Sequence, residues 1–522
     1  MLRIASDTTP TSAPGWPLFD TAATRRIEQD YARQLPTHTL MQRAGLAVAR
    51  LAMAIAPHAQ RIWIACGPGN NGGDGFEAAA QLKALRPLSQ VLVSEVRAPQ
   101  HLPADAKASW LRAQAAGVQW VEQCPEYMGA QDLCIDALLG IGLQDKSTTK
   151  PNTDQRRLLQ LLQQVQRSSC PVLCVDIASG LNADTGQYLT ELAPTAVPEH
   201  HPSPRHTLTL LTLHPGLFTA QGRDACGQVW WDDLGYSTWN AQTPAAAPAA
   251  RLSTPPTSGS QPARPHSSHK GSYGDVVILG GEGLGHRGLS MTGAAWLAAL
   301  TALHAGAGRV MLALLDAEHR TDQAISPWPE IMLRQPQAQD WHSATVVCGC
   351  GGGQAIEPWL PTVLQQAPRL VLDADALNAI SQSASLAKLL CSRATRQQST
   401  ILTPHPLEAA RLLKTDTQSV QADRLRAASA LAQQFQCTAL LKGSGTVIAS
   451  PASTPWINSS GNALLARGGT GDVLAGLTGA IWATGCTAEQ AAVQAAFRHG
   501  QLADEWPAHI PFSASVLAMH LG

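Results

Sequence analysis

Short runs of apolar residues recur through both halves of the chain, and each is followed by a turn rich in Gly, Asp or Asn and then by a helical pattern. Examples are residues 61–65 and 172–177 in the first half and residues 275–279 and 344–348 in the second. Near-continuous apolar strands separated by helices are typical of parallel sheets that are covered on both faces. We therefore predict an α/β fold, in which ligands bind at the carboxyl ends of the strands.

A low-complexity segment divides the chain. Residues 240–268 are dense in Ala, Pro, Ser and Thr, a composition that cannot bury a core and is typical of extended linkers. The full length of 522 residues is also too long for one ordinary hydrophobic core. We predict a first domain over residues 1–236, a linker over residues 237–265 and a second domain over residues 266–522.

The composition argues against several classes of partner. Lys plus Arg total 37 against 38 acidic residues, so we expect no basic surface for nucleic acid. Residues 1–17 lack the apolar run of a secretory signal, and His and Arg interrupt the apolar stretch at residues 292–315, which favours a buried helix and strand over a membrane span. Eleven Cys residues without a CxxC pair indicate reduced thiols. We therefore predict a cytoplasmic protein that acts on small molecules.

The first half carries a glycine-rich string directly after an apolar strand. The string GPGNNGGDG covers residues 67–75, and its glycines satisfy the GxGxxG pattern of dinucleotide-binding turns. The double Asn and the Gly-Gly-Asp exceed what that pattern needs. Asp136 and Asp176 end two further strands, where each either caps the following helix or faces a ligand. Together with Asn71 they would present oxygen atoms to a hard cation or to a substrate hydroxyl.

These strings resemble the NAD(P)H-hydrate epimerase family over about residues 20–235. The match rests on LMQRAG at residues 40–45, GNNGGDGF at 69–76, DALLGIG at 136–142 and VDIASGLNADTG at 175–186. The resemblance implies a Rossmann-like three-layer αβα domain that interconverts the R and S epimers of NADHX and NADPHX. It implies that Asp176 is catalytic and that a potassium ion is held by Asn71, Asp136 and Ser179. The hydrate contacts that it implies are Asn70, Asn71, Gly72, Gly73, Asp74, Gly140, Ile141, Gly142, Leu143, Gln144, Asp145, Lys146 and Asp176.

One departure from that family changes a charge. His214 stands where the family usually has Lys. A Lys side chain is charged at neutral pH, whereas an unperturbed His is half-protonated only near pH ~6.5. We expect a working but altered epimerase site, and the alternative is a domain that binds nucleotide without catalysis.

The second half is marked by the string GGTGDVLAG at residues 468–476, which opens a helix with apolar residues along one face. Glycines at a helix mouth let the backbone approach an anion, and the free amides of the first turn then face its charge. Asp472 is placed to accept a proton from a substrate hydroxyl that attacks phosphorus. We predict a nucleotide-dependent phosphoryl-transfer site with Asp472 as the catalytic base. The alternative is an Asp that only caps the helix.

Four further strings accompany this one in the second half. They are HKGSYG at residues 269–274, LDADALN at 372–378, LTPHPLEAARLL at 402–413 and LKGSGT at 441–446. In this order they are similar to the ADP- or ATP-dependent NAD(P)H-hydrate dehydratase family, which implies a ribokinase-like three-layer αβα fold. The implied hydrate contacts are Ala294, Gly353, His405 and Asp472. The implied nucleotide contacts are Lys442, Gly443, Ser444, Gly445, Thr446 and Gly471.

The second half also departs from its family. Residues 349–353 read GCGGG where the family usually reads GPGLG, and without the Pro we expect a looser turn. Leu407 replaces a usual Gly. Neither change removes Asp472 or the glycines of its helix mouth, so we expect activity to persist.

The order of the two resemblances is that of a fused, bifunctional repair enzyme. It implies that the first domain equilibrates the epimers, and that the second dehydrates the S epimer to NAD(P)H while ADP becomes AMP and phosphate, with Mg²⁺ accompanying the nucleotide. The expected partners are therefore NADHX, NADPHX and ADP, and the sequence is compatible with a homo-oligomer. The alternatives are a kinase for a sugar or vitamin precursor, and a nucleotide-sensing protein with an inactive first domain.

Overall fold

The computed structural model describes residues 1–10, 14–143, 152–194, 203–236, 246–255, 265–315 and 326–521. The chain divides into two compact units, Met1–Ala250 and Arg251–Gly522. Each unit has a hydrophobic core of its own. Among the described residues, no helix is both long enough and apolar enough to span a membrane.

The first unit alternates strands and helices along the chain, as the sequence predicts. Its elements are β1 (Leu2–Ile4), β2 (Trp16–Leu18), α1 (Thr21–Ala32), α2 (Thr39–Ile55), β3 (Arg61–Cys66), α3 (Asn70–Leu85), β4 (Gln90–Glu95), α4 (Ala104–Ala115), β5 (Gln119–Trp120), β6 (Leu133–Ala137), α5 (Thr153–Gln166), β7 (Val172–Val175), β8 (Arg205–Leu210), α6 (Gly222–Cys226) and β9 (Gln228–Asp232).

The sheet of the first unit has the strand order β1-β9-β8-β7-β6-β3-β4-β5. All neighbouring strands are parallel except β1, which pairs antiparallel with β9. Strands β6 and β7 are buried along their whole length, which requires cover on both faces and fits the predicted three layers. The chain runs outward from β3 to β5 and then returns to β6 on the other side of β3. This reversal is a topological switch point, where ligands bind in open α/β sheets.

The glycine-rich string after β3 is helical for most of its length, which differs from the prediction of a loop that ends at residue 75. Helix α3 begins at Asn70. The glycines are required for packing: a Cβ at Gly72 would lie 2.0 Å from the carbonyl oxygen of Gly67, and a Cβ at Gly73 would lie 2.7 Å from the Met41 side chain. Tertiary packing therefore overrides the low helix propensity of Gly in this turn.

The second unit continues the same alternation. Its elements are β10 (Ala250–Leu252), β11 (Asp275–Glu282), α7 (Leu284–Arg287), α8 (Thr292–His304), β12 (Arg309–Leu315), β13 (Ile331–Arg334), β14 (Thr345–Cys348), α9 (Leu360–Gln366), β15 (Arg369–Leu372), α10 (Ala374–Gln382), α11 (Ala384–Thr395), β16 (Ser399–Leu402), α12 (Pro406–Leu413), α13 (Thr417–Ala422), α14 (Arg424–Phe435), β17 (Thr438–Leu441), β18 (Val447–Ala449), β19 (Trp456–Ile457), α15 (Thr470–Ala483), α16 (Ala488–Asp504) and α17 (Ala514–Met519).

The strands of the second unit run in the order β13-β12-β11-β14-β15-β16-β17-β18-β19-β10. Strands β11 to β17 are mutually parallel, and the hairpin from β17 to β18 is antiparallel. The chain leaves β11 toward β12 and β13 and then returns to β14 on the other side, so this sheet also has a switch point. The apolar stretch at residues 292–315 forms α8 and β12, as predicted.

The predicted linker, residues 237–265, includes the short strand β10, and its boundaries stay a prediction. Strand β10 pairs in parallel with β19, with Leu252 opposite Ile457. Ser253 is also buried, and its hydroxyl donates to Asn458 Oδ1 at 3.1 Å. Ala250 and Leu252 are buried on either side of Arg251, but the surrounding Ala and Pro residues hide this alternation in the sequence.

Helix α15 is buried on all sides, whereas the sequence suggested a single apolar face. Apart from Gly471 and Asp472, every residue from Thr470 to Ala483 is buried. The small residues of this helix permit close packing: a Cβ at Gly476 would lie 2.2 Å from the carbonyl oxygen of Ala298 in α8. The first turn of α15 is thereby fixed in position at the carboxyl ends of the strands.

Candidate active sites

A cavity of about 810 Å³ lies at the switch point of the first sheet. Its walls come from α1 and α2, from the first turn of α3, from the loop after β6, and from the ends of β7 and β8. The predicted substrate-binding residues that line it are Asn70, Asn71, Asp74, Gly140, Ile141, Gly142, Leu143 and Asp176. Motifs that lie far apart along the sequence thus line one shared cavity.

Two tight turns end neighbouring strands at this cavity. Asp176 has φ 65°, and the amide of Ile177 donates to the carbonyl of Val175 at 2.8 Å. After the next strand, Leu211 has φ 68°, and the amide of Thr212 donates to Leu210 at 2.7 Å. Three-residue turns with a positive central φ are strained, at a cost of order 1–3 kcal/mol. Both central residues line the cavity, so the strained backbone directs Asp176 toward a ligand.

Four carboxylate residues line the cavity, Glu28, Asp74, Asp105 and Asp176, and three of them have raised pKa values. Burial raises the pKa of Asp176 to about 7, and the negative charge of Glu28 contributes to the rise. Burial and the neighbouring Asp176 and Glu28 raise the pKa of Asp74 well above its usual range. Burial also raises the pKa of Glu28, although Arg25 opposes the rise. At neutral pH these groups therefore hold at least one proton among them and can both donate and accept.

Other predicted contacts lie behind the cavity wall or outside the described residues. Gly72 and Gly73 pack against the backbone of Gly67 and the side chain of Met41 and do not line the cavity. The predicted hydrate contacts Gln144, Asp145 and Lys146 lie outside the described residues.

The three residues expected to hold potassium lie at this same switch point. The Ser179 hydroxyl donates to Asp136 Oδ1 at 2.6 Å, and the Ser179 amide donates to Oδ2 at 3.0 Å. Burial raises the pKa of Asp136, and the Ser179 hydroxyl opposes the rise. Within the described part of the chain, both side-chain polar atoms of buried Asn71 lack a hydrogen-bond partner. A buried carboxylate and an orphaned amide oxygen are ligands that suit a hard cation.

His214 does not line the cavity. The presence of His in place of the usual Lys therefore does not alter the charge of the cavity wall. Its side chain is fully buried, and Nδ1 lies 3.0 Å from the carbonyl oxygen of Phe19. This distance fits an Nδ1–H donor, which fixes the neutral tautomer. Burial lowers the pKa of His214. The residue therefore anchors the segment before α1 and carries no positive charge toward the cavity.

In the second unit, Asp472 lies in the first turn of α15. The N-cap residue Gly469 has φ 89°, and a Cβ there would lie 2.7 Å from the Leu297 side chain, so only Gly fits. The amides of the first helical turn have no acceptor within the helix and face an incoming anion. Burial, and then the charge of Asp373, raise the pKa of Asp472 to about 6. Asp472 is therefore ionised at neutral pH yet basic enough to take a proton.

The positive charge of a lysine offsets part of the negative charge of the carboxylates at this site. Lys442 follows β17, and its ammonium donates to Asp373 Oδ1 at 2.7 Å. The Thr403 hydroxyl donates to the same oxygen at 2.8 Å. The Lys442 ammonium also lies 3.5 Å from the position that a Cβ on Gly471 would occupy. Two predicted nucleotide contacts thus meet at the amino terminus of α15, where helix and lysine charges combine.

The predicted nucleotide loop is the hairpin between β17 and β18, with Gly443, Ser444 and Gly445 at its turn. The Thr446 hydroxyl donates to the carbonyl oxygen of Gly443 at 3.2 Å. Arg424 braces the hairpin from below, because its Nη2 donates to the carbonyl oxygens of Leu441 and Lys442 at 3.2 and 3.1 Å. No sequence motif includes Arg424.

The loop at residues 349–353 is close-packed, so the expectation of a looser turn is wrong. A Cβ at Gly349 would lie 2.0 Å from the carbonyl oxygen of Asp373, and one at Gly351 would lie 2.9 Å from Ala294 Cβ. Gly353 has φ 54°, and its amide donates to Asp375 Oδ2 at 2.8 Å. The turn is rigid because its neighbours fill the space; Ala294 packs against Gly351, and Glu282 and Arg287 pack against Gly353.

His405 has a structural role at the start of α12. Its Nδ1 accepts from the amides of Leu407 and Glu408 at 3.1 and 3.2 Å, and the Glu408 carboxylate accepts from the His405 amide at 2.8 Å. This capping box keeps Nδ1 unprotonated. Burial and the nearby Lys442 lower the pKa of His405. The imidazole remains about half exposed, so the same residue can also face a ligand.

Several residues of these sites were not identified from the sequence. Glu28 and Arg25 lie on α1, far from every motif, and reach the first site only through folding. Cys350 entered the sequence interpretation as a missing proline, whereas its sulfur and one oxygen each of Asp373 and Asp472 lie within 4.8 Å of one another. The sequence signal of Cys350 is a soft residue within a glycine-rich string, whereas Glu28 and Arg25 stand among other charged residues of α1 and carry no signal of their own.

The folds and sites define a class: a two-unit α/β enzyme with an acid–base cavity in one unit and a basic carboxylate at an anion-binding helix terminus in the other. Two family models match the chain. Residues 37–216 match the model described as YjeF-related protein N-terminus, and residues 276–521 match the model described as NAD(P)H-hydrate dehydratase.

Named relatives extend these matches over most of the chain. The "Bifunctional NAD(P)H-hydrate repair enzyme Nnr" of Escherichia coli (strain K12) is 34% identical over 92% of this chain and 88% of its own length. The "ADP-dependent (S)-NAD(P)H-hydrate dehydratase" of Neisseria meningitidis serogroup B is 39% identical over 49% of this chain and 85% of its own length. The chain therefore belongs to the family of bifunctional NAD(P)H-hydrate repair enzymes.

One solved structure with a similar fold is described as an ADP/ATP-dependent NAD(P)H-hydrate dehydratase from Bacillus subtilis co-crystallized with ATP/Mg²⁺. It is 30% identical, covers 50% of this chain and 91% of its own, and has a TM-score of 0.41.

Proposed function

We propose that the two units act in succession on hydrated nicotinamide cofactors. The first interconverts the R and S epimers of NADHX and NADPHX, and the second dehydrates the S epimer with conversion of ADP to AMP and phosphate. The observation that carries the second reaction is the placement of Asp472 beside the first-turn amides of α15 and the Lys442 ammonium. This arrangement combines a base for a hydroxyl with positive charge for a phosphoryl group.

The proposed dehydration proceeds in two balanced steps. Asp472 takes the proton of the ring hydroxyl as its oxygen attacks the terminal phosphorus of ADP, and the phosphorus–oxygen bond to AMP breaks. The phosphate ester then leaves as phosphate, and the adjacent ring carbon gives its proton to the departing phosphate as the ring double bond returns. Lys442 and the amides of Thr470 and Gly471 hold the phosphoryl charge during transfer. A Mg²⁺ ion bound to the nucleotide phosphates would neutralise part of their charge.

The proposed epimerisation depends on the carboxylates of the first cavity. Exchange of the hydroxyl between the two ring faces requires an acid that protonates the departing oxygen and a base that accepts a proton from the returning water. Asp176, with a pKa of about 7, can alternate between these states, and Glu28 or Asp74 can hold the proton in between. In this proposal Asn71, Asp136 and Ser179 would hold a potassium ion, which would supply a fixed positive charge to the site.

We also propose that the protein is cytoplasmic. All eleven cysteines are free, as expected for a protein kept in a reducing compartment such as the cytoplasm.

The decisive experiment supplies the full chain with a mixture of NADHX epimers and MgADP and follows NADH absorbance. We expect a fast phase from the S epimer and a slower phase as the R epimer is converted. Recovery of the S epimer alone would contradict the epimerase assignment. A stable phosphorylated product without NADH would favour a small-molecule kinase, and nucleotide binding without turnover would favour a sensing protein.

A further inference from the structure

We propose that Arg25 binds the pyrophosphate of the hydrated cofactor in the cavity of the first unit. The inference rests on the proposed epimerisation and deepens it, because it names a residue that holds the charged part of the substrate while Asp176 acts on the ring. Arg25 belongs to none of the sequence motifs.

The charges that line the cavity are unequal in number. Four carboxylate residues lie in its wall, whereas Arg25 is the one Lys, Arg or His among the described residues that line it. The substrate is itself an anion, since the pyrophosphate of a dinucleotide is ionised at neutral pH. Carboxylates repel such a ligand, so a cation in the wall offsets the repulsion and determines where the negative charge of the ligand lies.

Helix α1, which carries Arg25, is fixed against the end of the first sheet. The Asp184 carboxylate accepts from the Thr21 amide at 2.8 Å, which holds the first turn of the helix. The hydroxyls of Thr24 and Thr212 are both buried and lie 2.7 Å apart. Since Thr24 precedes Arg25 in the chain, these bonds hold the backbone from which the guanidinium extends into the cavity.

The guanidinium lies a short way along the cavity from the carboxylate that would act on the ring. A Cβ at Gly140 would lie 3.1 Å from Asp176 Oδ2. Two residues later, a Cβ at Gly142 would lie 3.1 Å from Arg25 Nη2. The α-carbons of the two glycines are at most about 7 Å apart. In a dinucleotide one ribose separates the nicotinamide ring from the pyrophosphate, a length of the same order, so a ring at Asp176 places its phosphates near Arg25.

The donors of Arg25 are available to a ligand. Its side chain is exposed, and within the described part of the chain no ion pair joins it to Glu28, the carboxylate one turn further along α1 whose pKa its charge lowers. A guanidinium presents its N–H donors in a planar fork that matches two oxygens of a phosphate. Arg25 therefore combines permanent charge with the geometry that phosphate recognition requires.

The test measures epimer exchange by Arg25→Gln and Arg25→Lys in the full chain, with NADHX and NADPHX as separate substrates. Arg25→Gln should raise KM by about tenfold for both substrates, because a charge-assisted contact is lost, and should change kcat by less than about twofold. Arg25→Lys should recover part of the affinity, since an ammonium keeps the charge but lacks the planar fork. The difference in KM between the parent and Arg25→Gln should shrink at high salt.

The matched control is Arg26→Gln, which removes the next residue, an exposed arginine that does not line the cavity. Its KM should equal that of the parent, and thermal melting reports whether each variant folds. An unchanged KM in Arg25→Gln, or an equal rise in Arg26→Gln, would overturn the proposal. A rise for NADPHX alone would also overturn it, in favour of a contact with the 2′-phosphate. A loss of kcat at constant KM would overturn it as well, because Arg25 would then act only on the neighbouring carboxylates.

A parent chain that does not exchange the epimers would overturn the proposed epimerase function instead. Titration calorimetry of the full chain with NADH then decides the contact of Arg25 by itself. The proposal predicts weaker NADH binding in Arg25→Gln than in Arg26→Gln, and equal binding in the two variants would overturn it.

Discussion

The cavity of the first unit and the helix terminus of the second unit both present carboxylates at the carboxyl ends of parallel strands, but the neighbours of these carboxylates differ. In the first site Asp176 shares a cavity wall with Glu28 and Asp74, and burial first and like charges second raise the pKa values of Asp176 and Asp74. In the second site Lys442 lies between the carboxylates and α15 and limits the rise for Asp472.

This difference separates two kinds of chemistry on one type of scaffold. A group of buried carboxylates with raised pKa values can pass a proton in either direction, which suits an isomerisation. A single base beside an ammonium and a helix terminus removes one proton and stabilises a phosphoryl group, which suits a step driven in one direction. The position at the strand ends supplies the site, and the neighbouring charges determine its reaction.

Asp472→Asn should separate the two units most strongly. Loss of the base should lower kcat for dehydration of the S epimer by about 10³-fold, while the nucleotide affinity should change little because Lys442 and the first-turn amides remain. NADH absorbance measures the first effect and titration calorimetry with ADP measures the second. Epimer exchange by the same variant is the internal control and should be unchanged. Undiminished NADH recovery would exclude Asp472 as the base.

Asp176→Asn should produce the reverse pattern. Epimer exchange should fall by about 10²-fold, because an amide cannot transfer the proton, and dehydration of pure S-NADHX should keep its rate. Chromatography of the two epimers over time gives the exchange rate. An equal loss of both activities would contradict the separation of the sites between the two units.

Glu28→Gln should have a smaller effect that is visible mainly in the pH dependence of epimer exchange. The Glu28 charge raises the pKa of Asp176, so its removal should move the Asp176 midpoint from about 7 to lower pH by about half a unit to one unit. Asp30→Asn, an exposed change on the same helix, is the matched control. If both variants keep the parent midpoint, the proposed coupling of the carboxylates is wrong.

His214→Lys should have the smallest effect on rate and a measurable effect on stability. His214 is buried and neutral, so a Lys there places a charge in the core without reaching the cavity. We expect no gain in epimer exchange and a lower melting temperature, whereas the exposed change His101→Lys should leave both unchanged. A faster exchange would instead show that a positive charge at this position serves catalysis.

The pH dependence of folding tests the same residue independently. The folded pKa of His214 lies below the unfolded value, so the unfolded chain binds the extra proton more readily. Its contribution to the free energy of unfolding is present above about pH 6.5 and is lost as the pH falls below that value. In denaturant titrations this loss should be absent from a His214→Gln variant.

Much of the fold and of both sites could be predicted from the sequence. The apolar strands, the glycine-rich turns and the order of the motifs predicted two α/β units and placed Asp176 and Asp472 at strand or helix ends, as the structure shows. These features are local, because a turn after a strand depends on a few adjacent residues. The predicted roles of Ser179 and the other site residues remain predictions.

The sequence alone determined the two folds, the order of the units and the candidate residues for the chemistry, since each is encoded in a contiguous string. Only the tertiary structure decided the surroundings of those residues. Glu28 acts on Asp176 from a separate helix, the turn after β14 brings the Cys350 sulfur within 4.8 Å of an Asp472 oxygen, and His214 is buried against the carbonyl oxygen of Phe19. Charge and burial act through space, so the basicity of each carboxylate depends on neighbours that the order of the chain does not reveal.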